Sequence, residues 1–140
     1  MSVQAVLLPV FVQVGLIFLV ALLMIRERVA ALSSRTTHYR DIALGEPNWP
    51  PRAMQAANCF RNQFEMPVLF FVLIAIALPL RRADLVVVLL SWVFVVTRFA
   101  HAGIFVTSNN VRKRGLAFIA GVLVLCVMWL YVAVRLLIVL

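Results

Sequence analysis

Charge is scarce in this sequence. Only 13% of its 140 residues are charged and 65% are hydrophobic, and the mean hydropathy is +1.07. A soluble domain usually has about 25% charged and about 45–50% apolar residues. The shortage of charge excludes an ordinary soluble domain, because a core of this size cannot hide so much apolar surface.

Cysteine and histidine are also scarce, which bears on metal and redox chemistry. The sequence has two cysteines, Cys59 and Cys126, and two histidines, His38 and His101. Their spacing matches no zinc site and no redox pair. We expect no metal site, and we interpret both cysteines as small apolar packing residues within helices.

Acidic residues are few, 5 against 13 basic ones, so the net charge is +8. The bases flank apolar blocks, which is typical of membrane topology and of contact with anionic lipid headgroups rather than of nucleic-acid binding. We therefore expect the lipid bilayer as a partner and no nucleic acid. The bases after the first and third blocks place these two loops in the cytoplasm and both termini on the opposite side. These bases are Arg26, Arg28, Arg35, Arg40 and Arg52, then Arg112, Lys113 and Arg114.

Long apolar runs without β-alternation predict membrane helices, because a helix needs about 20 apolar residues to cross the hydrocarbon layer. No repeat or composition change divides the chain, so we expect a single domain, 1–140. The predicted fold class is all-α, an integral membrane four-helix bundle. The helices are expected at about 3–25, 51–80, 85–106 and 114–139.

The second predicted helix differs from the others in its polar first half. Its purely apolar part, 66–80, is short for a span, so the helix is expected to begin near Pro51. Pro67 is expected to kink it just past Glu65. Polar residues recur there every third or fourth position and so share one face. They are Gln55, Asn58, Asn62 and Glu65. In the first helix, the lone polar Gln13 is expected to hydrogen-bond to another helix.

Ionisable residues at membrane depth cost about 2.5–3.5 kcal/mol each on insertion scales, so each needs a reason. In the third predicted helix, Arg98 and His101 lie one turn apart. A buried Arg98 needs an anion, for which Glu65 is the obvious partner, and Arg61 is placed to pair with Glu65 at i,i+4. Two polar stripes on neighbouring helices predict a polar pocket near the cytoplasmic ends.

The charge of this predicted pocket indicates an anionic ligand. Arg26 and Arg114 are placed to close its rim, and with Arg61 and Arg98 they outnumber Glu65. Arginines hold carboxylates through bidentate hydrogen bonds, and Glu65 is suited to receive an ammonium. A peptide with two carboxylates and one amine fits this pattern, and a second, apolar substrate would enter from the lipid. Periodicity leaves a second interpretation open, in which the same residues form a polar network between subunits.

Two motifs carry a family resemblance. Arg61-Asn62-x-x-Glu65-x-Pro67, followed by Arg98-x-x-His101, resembles the MAPEG family, the membrane-associated proteins in eicosanoid and glutathione metabolism. The resemblance covers nearly the whole chain and implies a homotrimer in a bacterial inner membrane, with glutathione held between subunits. It implies that Arg114 is a catalytic residue that stabilises the glutathione thiolate. The implied glutathione-binding residues are Arg26, Arg61, Asn62, Glu65, Arg98 and His101.

The implied activity is that of a glutathione-dependent transferase or peroxidase acting on lipophilic small molecules. Four positions depart from the family pattern, and each departure removes a polar contact. Phe105 stands where a tyrosine is usual, Gln55 and Asn58 stand where eicosanoid-forming members tend to carry arginines, and Gly115 stands where some members place a thiol-activating serine. The alternative is a non-catalytic accessory, scaffold or lipid-binding subunit whose polar network is structural.

Overall fold

The structure, a computed structural model, describes residues 1–138 of the chain. Over these residues it contains α-helices, one short 3-10 helix at Tyr39–Asp41, and no strand. The helices are α1 Val3–Ser33, α2 Pro51–Asn62, α3 Met66–Ala77, α4 Leu85–Val106 and α5 Val111–Leu137. With α2 and α3 taken as one segment, 51–77, four segments are long and apolar enough to cross a membrane. The all-α prediction is therefore confirmed for the described residues.

The first helix is longer than the sequence predicted. The hydroxyl of Ser2 caps it by accepting a hydrogen bond from the N–H of Ala5 at 3.3 Å. The helix continues to Ser33, so the expected end near residue 25 is too early. The charged residues there mark the end of the apolar run, but Arg and Glu are good helix formers, and the helix runs on into the polar region. It ends before Arg35, whose φ of 58° is left-handed.

The second membrane segment is interrupted between α2 and α3. Pro51 occupies the first turn of α2, where the missing N–H of proline costs nothing. Glu65 has φ −94° and ψ −103°, outside the helical region. Pro67 has no N–H to donate to the carbonyl four residues earlier. The predicted kink is thus confirmed, but it is a full break over residues 63–65, and α3 ends at Ala77 rather than near residue 80.

The last two helices pack closely against each other. The prediction for α4 agrees with its observed bounds, and Asp84 caps its first turn by accepting from Val87 N–H at 3.2 Å. The fifth helix begins at Val111 rather than at residue 114 and is described to Leu137; its predicted end at 139 lies outside the described residues. A Cβ added to Gly121 would lie 2.8 Å from Thr97 Oγ1, so the glycine permits this close approach.

The fold buries a modest apolar core and leaves much apolar surface outside. The larger core cluster lies toward the chain termini, and a smaller one lies beside the polar residues described below. Around the outside, long apolar side chains remain open, with Phe11 and Phe18 each 65% exposed and Leu130 67% exposed. Such a surface is unfavourable in water and favourable in lipid. The chain is a multi-pass integral membrane protein.

Candidate functional site

Arg98 is the most deeply buried charge in the described chain. It is 0% exposed on α4. Its Nη2 donates a hydrogen bond to Oδ1 of Asn62 at 2.6 Å. Its Nε and Nη1 are buried and have no hydrogen-bond partner within residues 1–138. A buried guanidinium with unused donors is costly, so this arrangement favours an additional acceptor.

Asn62, the last residue of α2, connects Arg98 to Glu65. Its Nδ2 donates to Oε2 of Glu65 at 2.8 Å, while its Oδ1 accepts from Arg98. Glu65 interacts electrostatically with Arg98, but no ion pair joins the two side chains. The predicted interaction between Arg98 and Glu65 is therefore present through Asn62 and not as a direct contact. A neutral amide lies between the two charges, and Glu65 remains exposed to its surroundings.

Arg61 and Arg26 are not brought to Arg98 within the described chain. Arg61 is exposed, and the predicted ion pair with Glu65 does not form, because the helical register is lost at the break after Asn62. Arg26 is an exposed side chain that pairs with its neighbour Glu27 at 3.1 Å. Among residues 1–138, the ion pairs are Arg26–Glu27, Arg40–Asp41 and Arg135–Asp84.

His101 lies one turn after Arg98 and is 3% exposed. Its Nδ1 is 2.8 Å from the carbonyl oxygen of Arg114. Because a carbonyl can only accept, Nδ1 carries the proton, and Nε2 is the acceptor in the neutral ring. Nε2 is buried and has no partner in the described part of the chain. The ring packs against Phe105 and Phe118, with centroids 5.6 and 5.7 Å away, so its orientation is fixed.

Arg114 and Phe105 form one edge of the predicted pocket. The guanidinium carbon of Arg114 lies 4.1 Å from the centre of the Phe105 ring, a cation–π contact. Its Nη1 also donates to Oδ1 of Asn109. Phe105, which stands where a tyrosine is usual, therefore stabilises the Arg114 cation through its ring. A Cβ added at Gly115 would meet nothing within 4 Å, so the space for a serine side chain is open.

The remaining residues of the α2 stripe take different directions. Gln55 donates through Nε2 to the carbonyl of Phe105 at 2.5 Å, which satisfies a carbonyl at the end of α4 that has no helical donor. Asn58 is exposed. The structure thus brings Asn62, Glu65, Arg98 and His101 into one region, with Arg114 at its edge. It does not bring Gln55, Asn58, Arg26 or Arg61 there.

Gln63 is a polar residue of this region that helical periodicity did not predict. The expected interhelical hydrogen bond of Gln13 does form, and its acceptor is Oε1 of Gln63 at 3.4 Å. Both side chains are 0% exposed. Gln63 does not belong to the α2 stripe, so periodicity does not single it out. The signal in the sequence that could have indicated it is Pro67, because a proline removes the backbone donor for the carbonyl four residues before it, which is that of Gln63.

An apolar groove runs beside the site between α1 and α4. Its volume is about 320 Å³, and it is lined by residues that include Leu16, Phe99, Ala102 and Gly103. Leu16 and Ala102 pack in one apolar cluster with Phe105, so the groove is next to the site. Within residues 1–138, no group of His, Cys, Asp and Glu is placed to hold a metal ion.

Comparison with protein families gives one match. The model of the MAPEG family matches residues 6–134, a range that contains every residue of the candidate site. Among curated proteins and among solved structures, nothing matches the chain.

Proposed function

Because the chain belongs to the MAPEG family, we propose that it is a glutathione-dependent transferase or peroxidase that acts on lipophilic substrates in a membrane. The observation that carries this proposal is Arg98, fully buried with two donor atoms that have no partner in the described chain. A ligand carboxylate would satisfy those donors through charge-assisted hydrogen bonds. Glutathione has two carboxylates and one ammonium, so it matches an arginine-rich site with one exposed glutamate.

The site is proposed to be complete only in a homotrimer. Arg26 and Arg61 are exposed and lie outside the Arg98 region of their own subunit. From a neighbouring copy, they would supply further cations to the peptide, and Glu65 would receive its ammonium. Exposed apolar residues along the helices supply surface for such contacts and for lipid. We further propose that the loops after α1 and α4 face the cytoplasm, in a bacterial inner membrane, because most of the bases lie in these loops or in the parts of the helices next to them.

Glutathione, when bound, would supply a thiolate nucleophile. Arg114 is the proposed catalytic residue, because its cation would lower the free energy of a nearby negative sulfur. Phe105 and Asn109 hold this guanidinium at the edge of the pocket. The groove between α1 and α4 would give an apolar substrate a route from the bilayer, since its apolar wall carries little cost for such a molecule.

The first experiment measures saturable binding. Purified protein in nanodiscs is heated with increasing glutathione, and the expected result is a melting temperature that rises and then saturates at millimolar ligand. The γ-Glu-Ala-Gly tripeptide, which lacks the thiol, should bind similarly but support no conjugation of a lipophilic electrophile. If millimolar glutathione changes neither the melting temperature nor a conjugation rate, the proposed activity is wrong for this chain.

Arg98→Ala separates the proposed function from the alternative. In an enzyme, this change should abolish glutathione binding and leave the oligomer intact, as measured by native mass spectrometry. Arg40→Ala is the matched control, since Arg40 is an arginine with an 85% exposed side chain outside the site.

The alternative is a non-catalytic scaffold, accessory or lipid-binding subunit. The observation that favours it is that Asn62 already bonds to both Arg98 and Glu65, as in polar contacts that hold membrane helices together. If Arg98→Ala dissolves the oligomer and the wild-type chain binds no glutathione, this alternative is correct.

A further inference from the structure

The break in the second membrane segment is held by side-chain hydrogen bonds as well as by the backbone. The N–H of Gln63 donates to the carbonyl of Phe60 at 3.0 Å, one residue short of the α-helical acceptor, Cys59. The side-chain Nε2 of Gln63 donates to that Cys59 carbonyl at 3.3 Å. The side chain thus replaces the backbone donor that the break has removed. In a membrane interior, a carbonyl left without a donor costs several kcal/mol.

The same amide connects the break to the first helix. Oε1 of Gln63 accepts from Nε2 of Gln13 at 3.4 Å. Both side chains are 0% exposed, and Cys59, Leu16 and Val20 pack in one apolar cluster at this level. An amide pair in apolar surroundings has no competing water, so Gln13 depends on Gln63 for its orientation, and Gln63 is held by both Gln13 and the Cys59 carbonyl.

The two residues of the candidate site on this segment flank the break. Asn62 is the last residue of α2, and Glu65 is the cap of α3 with a non-helical backbone. The hydrogen bond from Asn62 to Glu65 therefore spans residues 63–65. The length of this hydrogen bond, and the position of Asn62 relative to Arg98, depend on the conformation of the break.

We propose that Gln13 and Gln63 are positioning residues, and that their buried amide pair fixes the break so that Asn62 and Glu65 are aligned with Arg98 for the ligand. The proposal rests on the proposed glutathione site. It gives α1 a role in the site through Gln13, which acts by positioning other residues and not by touching the ligand. Neither residue belongs to the motifs that carry the family resemblance.

The informative variant is the double substitution Gln13→Leu with Gln63→Leu. Gln63→Leu alone leaves both the Gln13 amide and the Cys59 carbonyl without a partner, so it should lower the melting temperature more than the double substitution does. The double variant replaces both amides with apolar groups of similar volume and leaves only the Cys59 carbonyl without its side-chain donor, so it is expected to fold with a lower melting temperature than the wild type. Ser91→Ala is the matched control, since Ser91 is also buried on a membrane helix and its hydroxyl donates to the Val87 carbonyl of the same helix at 2.7 Å.

Two measurements test the proposal in nanodiscs. Hydrogen exchange followed by mass spectrometry should show backbone amides 63–65 exchanging about tenfold faster in the double variant. Glutathione should bind to that variant about threefold to tenfold more weakly, the range that corresponds to one interhelical hydrogen bond in a membrane. Ser91→Ala should change neither quantity.

Unchanged exchange in the double variant would overturn the proposal. Faster exchange with an unchanged glutathione affinity would also overturn it, because the break would then be loose without consequence for the site. A wild-type chain that binds no glutathione would instead refute the proposed function. The exchange measurement alone would then decide whether the amide pair fixes the break.

Discussion

Asn62 lies between opposite charges, 2.6 Å from Nη2 of Arg98 on one side and 2.8 Å from Oε2 of Glu65 on the other. Its amide accepts from the cation and donates to the anion, so it satisfies part of each group without joining them as an ion pair. A direct ion pair would leave less of either charge for a ligand. The amide therefore keeps Arg98 available to a carboxylate and Glu65 available to an ammonium.

Substitutions at Asn62 should show directly that its amide keeps the charges of Arg98 and Glu65 available to a ligand. Asn62→Leu removes the protein acceptor of a buried cation and should lower the free energy of unfolding by about 1.5–3 kcal/mol. Asn62→Asp should keep the melting temperature near that of the wild type and weaken glutathione binding, because an aspartate competes with the ligand carboxylate for Arg98. Thermal unfolding and titration calorimetry measure the two effects. A leucine variant as stable as the wild type would contradict this description of Arg98.

Arg114 should affect the reaction more than the binding of glutathione. In Arg114→Gln, we expect kcat to fall by about 100-fold with a small change in KM, because the guanidinium acts on charge at the sulfur. The ultraviolet absorbance of the thiolate should rise only at higher pH than in the wild type. Arg114→Lys keeps the charge and should recover part of the rate. Equal loss of affinity and rate in both variants would show that Arg114 only binds the peptide.

The opposite end of the bundle contains a pH-sensitive contact. Burial raises the pKa of the Asp84 carboxyl, but hydrogen bonds from Tyr131 and from Val87 N–H, with the charge of Arg135, outweigh it and hold the pKa below its usual value. The ionised carboxylate therefore stabilises the fold above the unfolded-state pKa of about 3.9. This contribution is lost as the pH falls through the lower, folded-state pKa.

Asp84→Asn should lower the melting temperature at pH 7 and remove part of the decrease that the wild type shows below about pH 4. Thermal unfolding between pH 7 and pH 3 measures both. Asp41→Asn is the matched control, because Asp41 pairs with the largely exposed Arg40 at 3.7 Å, and an exposed pair contributes little. If both variants follow the same pH curve, the Asp84 contact is not the source of the effect.

Gly121 should tolerate no larger residue. Alanine would ordinarily favour a helix by about 1 kcal/mol over glycine, but its Cβ would lie 2.8 Å from Thr97 Oγ1, which is itself bonded to the carbonyl of Phe94. We expect Gly121→Ala to destabilise the chain by about 1–3 kcal/mol, since α5 must move away from α4. The free energy of unfolding in mixed micelles measures the change.

Gly115→Ala on the same helix is the control for this prediction. Its added Cβ meets nothing within 4 Å, so the propensity gain should appear without a clash. A Gly121→Ala variant that is as stable as Gly115→Ala would show that the α4–α5 contact can relax.

Much of the candidate site was accessible from the sequence, because helical periodicity reports which residues share a face. The pairs Asn62 with Glu65 and Arg98 with His101 were predicted in this way and do lie together. Arg61 was misplaced, since the i,i+4 rule assumes an unbroken helix and the break begins directly after Asn62. Gln55 was also assigned to the pocket, whereas it bonds to the end of α4. Periodicity gives the face of a helix but not the partner across from it.

The four membrane spans and the family were determined by the sequence alone. Apolar length and local motifs are properties of neighbouring residues, and the surrounding lipid requires each span to satisfy its own backbone. The tertiary structure alone decided that Asn62 separates Arg98 from Glu65, that Phe105 supports Arg114, and that Gln13 reaches Gln63. Each of these arrangements brings together side chains from different membrane segments. Their distances depend on how the helices pack, and packing is settled by all the side chains together.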